Sequence, residues 1–277
     1  RGEQEVHPCL MEVRTDGRLG FLARLVRELP PPSGIDLITD CAAPSGSGLG
    51  GSSALGIATG AALARFRGEE ISQENLLGLV QAVETQVLRV PTGVQDYYPA
   101  LLGGALALHY SPRGTRAEKI PLEPERLEKH LVLCFSGVSR SSAVSNWDML
   151  KRYLDGDPAV VGGIRRVAAA ARRMEGALRA GDPEEAAAAM AQEWEARKTL
   201  SPMVSNREIE SQMRAAREAG AISGKVCGAG GGGCLLFFTR PDRRDAVRKA
   251  LENLGARFLP VRLRRRGLTV EIGPNAR

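Results

Sequence analysis

A chain of 277 residues with 43% hydrophobic and 25% charged side chains has the make-up of a folded globular protein, with room for one large domain or two ordinary ones, and it excludes a fibre or a disordered tail. Aromatics at 4% are too scarce for base stacking to be a main activity, and a net charge of +6 suits anionic small molecules as well as nucleic acid. The five cysteines are odd in number and form no CxxC pair, which reads as reduced thiols in a cytoplasmic protein. The three histidines are too scattered for a His-rich metal cluster. No apolar run reaches the length of a membrane span, so no membrane partner is expected. Because Arg1 is not an initiator Met, the sequence is expected to begin inside a longer protein.

In chain order, Leu19, Leu22, Leu25, Val26 and Leu29 share a helical face, and Pro30 to Pro32 stop that helix. Ile35 to Thr39 alternates as a short strand should and delivers the chain into Pro44-Ser45-Gly46-Ser47-Gly48-Leu49-Gly50-Gly51-Ser52-Ser53-Ala54, a glycine-rich loop running into a helix over 54–65. Backbone N–H groups of such a loop can crowd onto one anion while the helix N-terminus adds partial positive charge. Ser72 caps a second helix over 72–87 with Leu76, Leu77, Val80 and Val83 as its buried stripe and Glu84 near its end.

Beyond Pro91 lies Thr92-Gly93-Val94-Gln95-Asp96-Tyr97-Tyr98, then Gly103-Gly104, then a strand over 105–110. Residues 131–135 read as a buried strand followed by the polar run Ser139-Arg140-Ser141-Ser142, and about 159–198 as helices, with Asp182-Pro183-Glu184-Glu185 a start signal. After a helix over 208–219, residues 221–224 turn the chain into a second cluster, Gly228-Ala229-Gly230-Gly231-Gly232-Gly233. An apolar strand over 234–239 and a helix over 243–254 follow, and strands over 261–265 and 268–272 close the chain. In the run Arg262 to Arg266 the arginines are expected on a solvated strand face with Val261 and Leu263 turned inward, and Trp147 and Trp194 are expected in the core. The fold class is α+β, with a boundary near Asp155–Asp157 that divides the chain into 1–156 and 157–277.

Both glycine clusters satisfy GxGxxG, a weak signal by itself. A dinucleotide site needs a strand ending in an acid after the helix, and the chain gives Arg67-Gly68-Glu69-Glu70 and another helix instead. A Walker A loop is excluded because no Lys precedes a Ser or Thr at the required place. Turn-only glycines remain the plain alternative for the first cluster.

The first cluster resembles the phosphate-binding motif of the GHMP kinases, and Gly228 to Gly233 resembles that family's C-terminal glycine motif. Gly93-Val94-Gln95-Asp96 and Gly103-Gly104 are similar to the sugar-kinase branch. Trp194 to Ser201, Val204-Ser205-Asn206 and Gly224 to Gly228 look most like the D-glycero-D-manno-heptose 7-phosphate kinases. The family's first motif, an Arg-Pro-rich strand and glycine turn, has no counterpart before Ile35, which again leads to the expectation of a truncated N-terminus.

The resemblance implies a two-lobed fold, with a glycine-rich phosphate loop ahead of a helix in the N-terminal lobe and a C-terminal α/β lobe. It implies an ATP-dependent kinase acting with Mg2+ on a small-molecule sugar or sugar phosphate, a phosphorylated heptose at its anomeric hydroxyl with another sugar or sugar acid (fucose, galactose or glucuronate-like) as the alternative, with no nucleic-acid partner and a homo-oligomer left open. By the family pattern Pro44, Gly46, Ser47, Gly48, Leu49, Gly50, Gly51, Ser52 and Ser53 hold the nucleotide, and Ser52 and Glu84 hold the metal, with Ser53 as second choice; for Glu84 a solvated helix residue is the alternative reading. Asp96 is the general base or orients the sugar hydroxyl, and a surface turn acid is its alternative reading. Gln95, Gly103, Gly104, Arg140, Gly228, Ala229, Gly230 and Gly231 would face the substrate; for Arg140 a solvated loop is the alternative, and Lys225 is a further candidate. The rival functions are a nucleic-acid binder acting through the C-terminal arginines and a non-catalytic sugar or nucleotide sensor on the same scaffold.

Overall fold

The computed structural model describes residues 2–137 and 143–273. The chain forms two compact units, one made of Arg1–Ala42, Gly50–Gly103 and Arg266–Arg277, the other of Ala43–Leu49 and Gly104–Arg265. The expected boundary near Asp155–Asp157 falls inside the second unit.

The first unit is built on α1 (Gly20–Glu28), α2 (Gly51–Phe66), α3 (Gln73–Leu88) and α4 (Tyr97–Leu102). Its core gathers Leu25, Ile57, Leu63, Leu76, Val80, Val83, Tyr97 and Leu101. Helix α2 comes close to its neighbours because it carries glycine where they press hardest. A Cβ on Gly56 would stand 2.5 Å from Val80 Cγ1 and 2.7 Å from Phe21 Cζ. The Ser72 side chain accepts from Asn75 N–H and starts α3, as its position in the sequence predicts.

Among the described residues no strand forms in this unit, which corrects two expectations. Residues 35–39 and 268–272 alternate in the manner of strands, but neither finds a ladder partner, and a strand without one is not stable. Ile38 is left 89% exposed, and Leu268 N–H donates to Leu101 C=O across a loop.

The second unit begins its regular structure with the hairpin β1 (Ala105–Ser111) and β2 (Gly114–Ile120), followed by α5 (Pro124–Glu128), β3 (Leu131–Phe135), α6 (Ala143–Leu154), α7 (Pro158–Ala180) and α8 (Pro183–Lys198). Then come α9 (Arg207–Glu218), β4 (Ala221–Val226), β5 (Cys234–Thr239), α10 (Arg244–Glu252) and β6 (Arg257–Leu259). The four strands β4-β5-β3-β6 form one sheet, antiparallel throughout.

Strand β5 reads as an unbroken apolar run because both faces of the sheet are covered. Leu235 and Phe237 pack with Val132, Ile209, Met213, Val247 and Leu251, while Phe238 packs on the other side with Leu131, Ala177, Ala187 and Met190. The Asp182 carboxylate caps α8 by accepting from Glu184 and Glu185 N–H.

Three readings change here. Residues 221–224 belong to strand β4 rather than to a turn, and Gly224 sits in it because a side chain there would run into the Phe237 ring. Residues 261–265 form no strand, since Leu263 N–H donates to Glu128 Oε1 at 2.6 Å instead of to a ladder, although inward and outward residues alternate as expected. Trp194 is core, whereas Trp147 on α6 is half exposed.

Candidate active site

In the first unit the start of α2 is the centre of the arrangement. Gly50 takes a left-handed φ of 69° as its N-cap, and no side chain caps the helix. Among the described residues the N-cap of this 16-residue helix makes no side-chain hydrogen bond, so the partial positive charge of the helix start is left open, the condition for holding an anion.

Within that first turn, two hydroxyls meet one carboxylate from α3. Ser52 Oγ donates to Glu84 Oε1 at 2.5 Å and Ser53 Oγ to Glu84 Oε2 at 3.2 Å. Glu84 is 8% exposed and takes a further hydrogen bond from the hydroxyl of the fully buried Tyr97, which also reaches Thr92 Oγ1 at 3.4 Å. Burial, and then the bond to Glu84, raise the Tyr97 phenol above its ordinary range, so it stays a neutral donor.

Asp96 occupies the N-cap of α4, where an aspartate normally accepts from the helix amides, yet its side chain caps nothing. It lies against Gly50 instead: a Cβ on that glycine would be 3.0 Å from Asp96 Cβ and 3.1 Å from Cγ. The surrounding protein pushes the Asp96 carboxyl up from its ordinary value, and the Glu84 charge pushes it further the same way. Water still reaches this side chain, so the shift is screened. The unit thus brings Gly50, Gly51, Ser52, Ser53, Glu84 and Asp96 together. Gln95 is exposed and folds its amide back over Gly93. Gly103 is close-packed against the backbone of Arg266 and Gly267, which accounts for its missing side chain.

In the second unit the two glycine clusters lie on one another. A Cβ on Gly48 (φ 72°) would stand 2.5 Å from Cys227 C=O oxygen, and one on Gly233 2.7 Å from the Ser47 carbonyl oxygen. Cys234 N–H donates to Ser47 C=O at 2.8 Å, and Ser47 N–H to Pro44 C=O at 3.1 Å. Gly230 and Gly231 are backed by residue 204, with Gly231 N–H donating to Val204 C=O at 2.7 Å. Gly46, Gly48, Leu49 and Gly228 stay exposed, while Ala229 and Gly231 are buried.

Gly104 N–H donates to Arg264 C=O at 2.7 Å. Lys225 is committed to Glu193 at 2.7 Å, and that carboxylate also takes Arg197. Burial pushes the Cys227 thiol up to about 12, so it is a neutral packing group beside Gly228. Arg140 lies outside the described residues.

Two groups escaped sequence reasoning, Tyr97 and Thr92. Nothing in the sequence separates Tyr97 from Tyr98; the signal is the rule that a buried phenol must find a partner, which requires knowing which tyrosine is buried.

Comparison with known proteins adds an independent line. The GHMP kinases N terminal domain profile matches residues 19–104, and GHMP kinases C terminal matches 174–257. The chain is 30% identical over 246 residues to D-glycero-alpha-D-manno-heptose 7-phosphate kinase of Campylobacter jejuni, covering 85% of this chain and 72% of that protein. It is 31% identical over 242 residues to the mevalonate kinase of Pyrococcus horikoshii, covering 86% and 69%. Among solved structures, a D-glycero-D-manno-heptose 1-phosphate kinase from Bacteroides thetaiotaomicron superposes with a TM-score of 0.69 at 22% identity, over 92% of this chain and 74% of that one.

Proposed function

The chain belongs to the GHMP kinase family, whose members are ATP-dependent phosphotransferases, and from that premise we propose that it phosphorylates a hydroxyl of a sugar phosphate, D-glycero-D-manno-heptose 7-phosphate at its anomeric position. The observation that carries the reading is the convergence of an uncapped helix start, two hydroxyls, a buried carboxylate and an unengaged aspartate within one unit.

The donor set fits a magnesium nucleotide. Mg2+ selects oxygen ligands and keeps several waters, so the hydroxyl of Ser52 and the carboxylate of Glu84 suffice, with Ser53 adjacent. Bound ATP would supply the γ-phosphoryl group and Mg2+ would neutralise part of the phosphate charge. The protein's own part is threefold. In the loop from Gly46 to Ser53, the peptide N–H groups from Gly48 to Ser53 are the proposed donors to the phosphates. Tyr97 and Thr92 fix the orientation of Glu84. Asp96 Oδ would take the proton of the acceptor hydroxyl, whose oxygen would receive the γ-phosphoryl group with ADP as the leaving group. Of the substrate candidates, Gln95 of the first unit and Gly228 and Gly230 of the second are not fully buried and stay proposed for the sugar, whereas Ala229 and Gly231 are buried, the latter hydrogen-bonded to Val204 and Asn206.

A panel of acceptors tests this: heptose 7-phosphate, mevalonate, fucose, galactose and glucuronate, each with ATP and Mg2+, read by ADP release and by phosphorus NMR of the product. The expected result is preferential turnover of the heptose phosphate with the new phosphate on the anomeric carbon. Preference for another acceptor would overturn the substrate assignment. ATP binding without turnover of any acceptor would favour the sensor.

A further inference from the structure

The second unit holds a cavity of about 530 Å3 that none of the chemistry above uses. It lies at the far end of the central strand from the glycine clusters. Cys234, at one end of β5, bonds to the Ser47 carbonyl, whereas Thr239, at the other end, donates to His130 C=O, and His130 lines the cavity. At about 3.4 Å per residue, the six-residue strand separates the two places by roughly 17 Å.

The cavity has two kinds of wall. Leu122, Leu127 and Leu178 give it an apolar side. Arg126 and Lys129, three apart in sequence at the end of α5, give it a cationic one, and among the described residues neither makes an ion pair. The other charged groups around it are already engaged. Arg265 pairs with Glu123 at 2.8 Å, Arg179 with Glu118 and Glu175 at 2.9 and 2.8 Å, and the Asp182 carboxylate caps α8. Two positive charges beside an apolar wall are thus left uncompensated, in a space within the range of roughly 300–1,000 Å3 typical of small-molecule sites.

We propose that this cavity is a second ligand site, separate from the phosphate loop, for a small molecule that joins an anionic head, phosphate or carboxylate, to an apolar body. Arg126 and Lys129 receive the head, and Leu127 and Leu178 the body. The paired charges of Arg265 and Arg179 remain on their own carboxylates, so the head is read by the two free cations alone.

Hexyl phosphate, inorganic phosphate and hexanoate, with hexanol as the uncharged control, are titrated into the protein and followed by methyl NMR of Leu127 and Leu178. The expected result is saturable shifts of both leucines with hexyl phosphate or hexanoate, the stronger of the two identifying the head group. Inorganic phosphate and hexanol should each bind about tenfold or more weakly than the better amphiphile, because each offers half of the recognition. Arg126→Gln with Lys129→Gln should weaken that amphiphile about tenfold or more, since a hydrogen bond to a charged group is lost at each position, with the melting temperature and ATP affinity unchanged. Equal binding in the double variant, equal binding of hexanol, or no saturable shift at Leu127 and Leu178 would each overturn the proposal. Reading the signal at these leucines, with no turnover involved, keeps the outcome distinct from the kinase assignment.

Discussion

Replacing Glu84 by Gln separates a structural role for this carboxylate from a role in holding metal. The carboxylate accepts from Ser52, Ser53 and Tyr97. Hydrogen bonds to an ionised group are worth about 1.5–3 kcal/mol against about 0.5–1.5 for neutral pairs, so removing the charge forfeits roughly 1 kcal/mol per bond, or about 3 in all. Against that stands the relief of a buried charge, which costs several kcal/mol when not fully compensated. The two nearly cancel, and the expected change in unfolding free energy is within about 2 kcal/mol in either direction. Metal binding has no such compensation. Loss of an anionic ligand, with its supporting bonds rearranged, should raise the Mg2+ needed to bind a non-hydrolysable ATP analogue by about tenfold or more. Analogue affinity as a function of Mg2+, by calorimetry on both proteins, is the assay. Superimposable titrations from a folded Glu84→Gln variant would refute the reasoning.

Three further outcomes follow from the same geometry. Gly48→Ala puts a methyl into the Cys227 carbonyl at a φ of 72°; about 1–2 kcal/mol for the left-handed backbone and about 1–3 for the overlap predict a loss of roughly 2–5 kcal/mol in urea unfolding, and a loss under 1 would contradict the packing of the two clusters. Burial alone would raise the Glu193 carboxyl, but Lys225 and Arg197 hold it below its ordinary 4.5. Its stabilisation is therefore present above that pH and lost as pH falls through the lower folded value, so Lys225→Met should cost about 1–3 kcal/mol at pH 7 and progressively less in acid, as measured by unfolding at a series of pH values. Because the Asp96 carboxyl is raised first by burial and then by Glu84, Glu84→Gln should move the acid limb of the turnover profile to lower pH without carrying it all the way to an unperturbed aspartate; an unmoved limb would separate the two groups.

The parts of this chain legible in its sequence are those where composition and backbone conformation coincide. Glycines that must bend and a helix start that must follow them are visible as letters, and so are the caps Ser72 and Asp182. The family pattern marked Ser52, Ser53, Glu84 and Asp96, and the structure brings the first three into hydrogen-bond contact with Asp96 beside Gly50. What stayed hidden depends on partners. Strand β2 carries Arg116, Glu118 and Lys119, a polarity that reads as loop until β1 is laid beside it. The reverse holds for residues 35–39 and 261–265, where an alternating pattern has no neighbouring ladder to join. That Gly48 and Gly233 are glycines because each cluster presses on the other could not be read from either cluster alone. Helix α4 has six residues, too few for a periodicity that would show Tyr97 facing inward and Asp96 left free at its start.

The most direct measurement of the central claim is Asp96→Asn, with ATP-dependent turnover and nucleotide affinity determined on the same preparation. A carboxyl whose folded value is raised costs the folded state once it is ionised at neutral pH, so this variant should melt at the same or a higher temperature. Its turnover should fall by about two to four orders of magnitude with nucleotide affinity nearly unchanged. Near-normal turnover in the folded variant would contradict the account.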